Sequence, residues 1–124
     1  MTTITFPSPV ASTTGRTLSS TITAQELGDG TRIELQVDTS HSKGSGYRSH
    51  LVRQHADGPI RSMAFTFGAD SDSRPLPVAE DAPAPGARFS RGVLARLHDE
   101  AVATVAARLD EWLVWAADCT AARR

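Results

Sequence analysis

Thr31-Arg32-Ile33-Glu34-Leu35-Gln36-Val37-Asp38-Thr39-Ser40 decides the fold. Ile33, Leu35 and Val37 fall on one side of an extended chain, and Arg32, Glu34, Gln36 and Asp38 fall on the other. That period of two belongs to a strand with one dry face and one wet face, which is the ordinary state of an antiparallel sheet. Immediately before it, Gly28-Asp29-Gly30 offers the backbone freedom of a tight hairpin. The weaker alternation from Ser20 to Leu27 supplies the partner strand.

Beyond it lies the polar loop His41-Ser42-Lys43-Gly44-Ser45-Gly46, followed by Tyr47 to His55 as a third strand with less sharply separated faces. Ala56-Asp57-Gly58-Pro59 reads as a second turn, and Ile60 to Phe67 as a fourth strand that sends Phe65 and Phe67 into the core. Residues 1–19 are rich in Ser, Thr and Pro, and Pro7 and Pro9 limit them to an arm or a short edge strand. Residues 68–87 hold four prolines, four acidic groups and one arginine without sustained periodicity, so they read as an extended acidic crossover.

The remaining chain is helical. Ser90 is a natural N-cap, and Leu94, Leu97, Ala101, Val105, Leu109, Trp112 and Ala116 recur at spacings of three and four. The expectation is one long helix over 88–119 with a tail at 120–124. The whole of 1–124 is then a single α+β domain: an antiparallel β-meander of four to five strands, 20–67, followed by one long C-terminal helix packed across one sheet face. Leu35 and Leu97 are expected to meet across the two layers. Such a helix would be about 45 Å long and would overhang strands of about 27 Å. The overhang would carry Trp112-Leu113-Val114-Trp115, so Trp112, Leu113 and Trp115 are candidate contacts of a homodimer.

Composition limits function. The chain has 124 residues with 40% apolar and 22% charged side chains, the make-up of one globular domain. Thirteen basic residues against 14 acidic ones give a formal charge of -1, so no overall field draws it to a polyanion or a membrane surface. The start, Met1-Thr2-Thr3-Ile4-Thr5, has neither the basic residues nor the apolar run of a leader, and cytoplasmic residence without membrane association is expected. One cysteine, Cys119, permits no internal disulfide and no cysteine-rich zinc site.

The histidines His41, His50, His55 and His98 have no spacing that demands a metal, and no metal or cofactor is expected. His98-Asp99-Glu100 reads as a solvated helix face, and Arg96 with Asp99 as a surface pair. Lys43-Gly44-Ser45-Gly46 lacks the frame of a P-loop or a dinucleotide fingerprint. Residues 41–67 do carry local positive charge in Lys43, Arg48, Arg53 and Arg61, with Tyr47 among them; together these are the candidate contacts of an anion or a nucleic acid. The sequence therefore favours a non-catalytic, dimeric binding module acting on another macromolecule. Single-stranded nucleic-acid binding through the basic hairpin 41–67 is one alternative, and a small enzyme using His41 or His50 is the other.

Overall fold

A computed structural model describes residues 5–56 and 71–122. Five strands form one antiparallel sheet in sequence order: β1 (Val10–Ala11), β2 (Thr17–Glu26), β3 (Arg32–Ser42), β4 (Gly46–Ala56) and β5 (Ser71–Leu76). Two helices follow, α1 (Arg91–Ala107) and α2 (Leu109–Ala122). The α+β class and the meander agree with the sequence reading. The expected turn at 57–59, the strand at 60–67 with Phe65 and Phe67, and Arg61 lie outside the described residues.

The decisive strand behaves as its alternation requires. Leu35 pairs with Ile22 and Arg53, and Val37 with Ser20 and Leu51, in uninterrupted register against β4. Gly30, at φ +88, closes the β2–β3 hairpin in a conformation that a side chain would strain. β5 lies inside the stretch expected to be an irregular crossover. It pairs Leu76 with Ser49 and Arg53 with Asp72 along the edge of β4. Among the described residues β5 is paired on one side only, and a strand in that position leaves half of its N–H groups outside the ladder, which Pro75 tolerates.

The single long helix is a correction. Arg108 leaves helical geometry at φ -126 and ψ 32, its N–H bonding Val105 O at 3.1 Å while its own carbonyl accepts from Glu111 and Trp112. The sequence contains no glycine or proline here, so nothing local announces the break. At the break Arg108 pairs with Glu111 and lies over the Trp112 ring, contacts made from outside helical geometry, and both Leu109 and Ala116 are buried. Asp110 and Glu111 then occupy the first turn of α2, where the helix dipole favours negative charge. With 17 residues, α1 spans about 25 Å, and the overhanging rod inferred from one unbroken helix disappears.

The helix-facing side of the sheet divides into two apolar clusters. One gathers Ile22, Ile33, Leu35, Val37 and Leu51 beneath Ala101 and Val105. The other gathers Tyr47, Leu94 and Leu97, so Leu35 and Leu97 belong to separate clusters and do not meet as expected. Between them runs a polar seam. His98 Nε2 lies 2.9 Å from Ser20 Oγ, His98 Nδ1 lies 2.9 Å from Thr39 Oγ1, and Thr39 Oγ1 lies 3.0 Å from Ser49 Oγ. All four residues are buried, His98 to 1% exposure, which overturns its assignment to a solvated face. Asp99 and Glu100 are exposed as expected, and Arg96 pairs with Glu100 and Asp81 rather than with Asp99.

Burial holds His98 in its neutral form, pulling its pKa below the ordinary 6.5, with Asp99 opposing weakly. The unfolded chain thus takes up this proton first. The stability His98 contributes is complete above about pH 6.5 and is lost as the pH falls through its folded pKa. Urea midpoints should therefore fall from pH 7.5 to pH 5. In His98→Leu, which leaves two buried hydroxyls without this partner, stability at neutral pH should drop by about 2 kcal/mol and the acid-dependent part should shrink. An unchanged acid limb in the variant would assign that limb to other groups.

Candidate binding surface

The antiparallel order places the β1–β2 turn, the β3–β4 hairpin, the segment after β5 and the N-terminus of α1 at one end of the molecule. Arg16 O accepts from His41 N at 2.9 Å, which ties the first turn to the end of β3. Tyr47 Oη accepts from Ser90 N at 2.9 Å, which fixes the start of α1 beside β4. Ser90 in turn caps the helix by accepting from Val93 N.

Five exposed cations converge on this end: Arg16, Lys43, Arg48, Arg88 and Arg91. Residues 5–25, 39–56 and 82–98 contain no Asp or Glu, and the segment after β5 contributes Glu80 and Asp81, of which Asp81 pairs with Arg96 at 3.3 Å. Among the described residues none of the five cations has a carboxylate within ion-pair distance. The first turn of α1 is also free of acidic residues, leaving the positive end of its dipole uncompensated. Further negative charge lies at Glu26 and Asp29 near the β2–β3 hairpin, at Asp99 and Glu100 of α1 and at Asp110, Glu111 and Asp118 of α2.

The expected set is split by this geometry. Lys43 and Arg48 lie at the basic end. Arg53 does not: it points to the helix-facing side with no exposure, its guanidinium 3.0 Å from Asp72 and 3.3 Å from Thr120 Oγ1. Tyr47 is 7% exposed, its ring packed against His41 and Phe89, so it offers no open face to a base. Arg16 covers Phe89 at 4.5 Å and reaches His41 Nδ1 at 2.9 Å. Arg16, Arg88 and Arg91 escaped the sequence reading because they come from distant segments. The one available signal was the long stretches that lack acidic residues.

Trp112, Leu113 and Trp115 are half-buried against the main apolar cluster, with Arg74 over Trp115 and Arg108 over Trp112. Among the described residues Trp112 Nε1, a buried donor, has no hydrogen-bond partner. Val114, between them, is 60% exposed.

The opposite sheet face holds the other titratable candidates. Asp38 sits across from His50 and accepts from Ser19 Oγ at 2.7 Å and Gln36 Nε2 at 2.8 Å. Arg32, Glu34, Gln36 and Asp38, read as the wet side of β3, are each at most 8% exposed. Cross-strand hydrogen bonds from Thr21 and Gln54 complete a polar layer around them. His41 lies on the other face, so His41 and His50 cannot share a site. Among the described residues no three His, Cys, Asp or Glu side chains are grouped to hold a metal. The Cys119 thiol is pushed up by burial, which disfavours the reactive thiolate. No helix among the described residues is long and apolar enough to cross a membrane.

Comparison with known protein families, with curated proteins and with solved structures finds no match to this chain.

Burial raises the Asp38 carboxyl above the ordinary 3.8, against the opposing hydrogen bonds from Ser19 and Gln36 and the nearby His50. A raised carboxyl contributes stability below its unfolded pKa and loses it as the pH rises through its folded pKa. Ionised Asp38 is therefore a cost at neutral pH. Asp38→Asn, which keeps one acceptor oxygen, should melt higher than wild type at pH 7 and lose that advantage near pH 3. A lower melting temperature at pH 7 would mean that the charge itself is needed.

Proposed function

We propose that this protein is a non-catalytic binding module whose basic end holds the phosphate backbone of a nucleic acid. The observation that carries this reading is the meeting of Arg16, Lys43, Arg48, Arg88 and Arg91 on one exposed surface without a carboxylate partner among the described residues. Phosphate contacts supply affinity and position, whereas sequence is read through base edges or stacked bases. The nearest rings, Tyr47, His41 and Phe89, are packed against one another, so the support is for backbone recognition with little discrimination among bases.

Counterion release sets the test. Five phosphate contacts give a log-log slope of affinity against salt of about -3.5 on a single strand and about -4.5 on a duplex. Fluorescence anisotropy with a mixed-sequence oligonucleotide should return slopes of that size. The triple variant Lys43→Gln, Arg48→Gln, Arg88→Gln should flatten the single-strand slope to about -1.4, with thermal stability nearly unchanged because exposed cations add little to folding. Absence of binding at low salt, or an unaltered slope in the variant, would sink the reading.

Self-association through α2 is supported by a separate feature. Val114 is the large apolar side chain with 60% exposure, flanked by two half-buried tryptophans. We infer a dimer in which Val114 and the outer edges of Trp112 and Trp115 meet their counterparts around a two-fold axis. Val114→Glu tests this better than a tryptophan substitution, since it leaves the side chains that pack on the protein's own core. Light scattering at micromolar concentration should report a dimer for the wild type and a folded monomer for the variant. A wild-type monomer would refute the dimer.

A further inference from the structure

At the basic end a cleft of about 340 Å³ opens between the β1–β2 turn and the first turns of α1. That volume falls at the small end of the range of ligand pockets. Its apolar wall is made by Leu18, Leu94 and Ala95, its polar rim by Ser12 and Thr13, and its charge by Arg91. Leu94 is 1% exposed and belongs to the second apolar cluster, against which Leu18 packs.

Arg91 is not a free arm in solvent. Its guanidinium lies along the backbone of Gly15, where a built Cβ would stand 3.5 Å from Nη2 and 3.6 Å from Nε. Gly15 holds φ +72, a conformation that disfavours any side chain, so the turn keeps the cleft open to the guanidinium. No carboxylate among the described residues pairs with Arg91. Ser12 Oγ is occupied, accepting from Thr17 N at 3.2 Å and lying 3.2 Å from Thr14 Oγ1, so it shapes the turn.

An apolar recess with one planar, unpaired, positively charged fork at its mouth is complementary to a small molecule with the reverse pattern. We propose that this cleft binds a small amphipathic anion: an apolar body against Leu18, Leu94 and Ala95, and a carboxylate or phosphate head in two parallel hydrogen bonds to Arg91. This goes beyond polyanion binding, because it requires the apolar wall as well as charge, and a nucleic-acid backbone supplies no such body.

Octanoate, octyl phosphate, octylammonium and octanol are the probes, titrated separately into the full chain and followed by methyl NMR. Octanoate or octyl phosphate should shift the Leu18 and Leu94 methyl signals saturably, with a dissociation constant below about 1 mM. The tighter of the two identifies the head group. Octylammonium should fail, and octanol should bind at least tenfold more weakly. Arg91→Gln should weaken the anionic probes at least tenfold. Ala95→Trp, at an exposed helical position, should fill the cleft and abolish binding while leaving the oligonucleotide salt slope unchanged. Equal binding of octanol and octanoate, or no saturable shift with either anion, would overturn the proposal. So would undiminished binding in Arg91→Gln or Ala95→Trp. Loss of oligonucleotide binding in the wild type would refute the nucleic-acid reading alone.

Discussion

Everything on the helix-facing side of this sheet is arranged around one buried imidazole. The face carries three hydroxyl residues, Ser20, Thr39 and Ser49, between two apolar clusters, and each would be costly to bury alone. His98 answers two of them directly and the third through Thr39, so one residue of α1 ties it to β2, β3 and β4. Apolar contacts alone are non-directional and would allow the helix to slide along the sheet. The hydrogen-bonded seam fixes its height, and burial favours the neutral ring, whose one donor and one acceptor nitrogen can be shared with hydroxyls that serve as either.

That height determines the surface. With His98 seated on Thr39, Ser90 lies beside Tyr47 and Arg91 beside Gly15, two turns earlier on the same helix. The cations at this end come from segments far apart in sequence, and they share a surface because the antiparallel order stacks the β1–β2 turn, the β3–β4 hairpin and the start of α1 together. Tyr47 is used in this assembly as a bridge to the helix cap, which removes it from solvent. The residue that looks most like a base-stacking ring is thus the one that positions the arginines.

Legibility in the sequence followed the range of the interactions. The alternation of Ile33, Leu35 and Val37, the turn at Gly30 and the cap at Ser90 are local, and the fold class was readable from them. β5 was hidden because an edge strand paired on one side needs little apolar periodicity, and Pro75 obscured what remained. The break at Arg108 was hidden because no glycine or proline marks it and the apolar spacing of three and four runs through it unchanged. His98 was misplaced by its charged neighbours Asp99 and Glu100, although its spacing from Leu94, Ala101 and Val105 sets it on the buried stripe. The basic end was only half visible: Lys43 and Arg48 stand out locally, whereas Arg16 and Arg91 become part of the surface only through topology.

The same range argument explains why Arg53 could not be separated from Arg48 by composition. Both lie on β4 and both add positive charge, but five positions apart they face opposite sides of the sheet. On the helix side Arg53 finds Asp72 on the neighbouring strand and Thr120 on α2, so its charge is spent inside the protein. On the outer side Arg48, at the start of the strand, has no carboxylate partner among the described residues. Charge free to act on a partner is what remains after internal pairing. Among the described residues Arg32, Arg53, Arg96 and Arg108 are each paired with a carboxylate, whereas the cations where the hairpin, the first turn and the helix N-terminus meet are not.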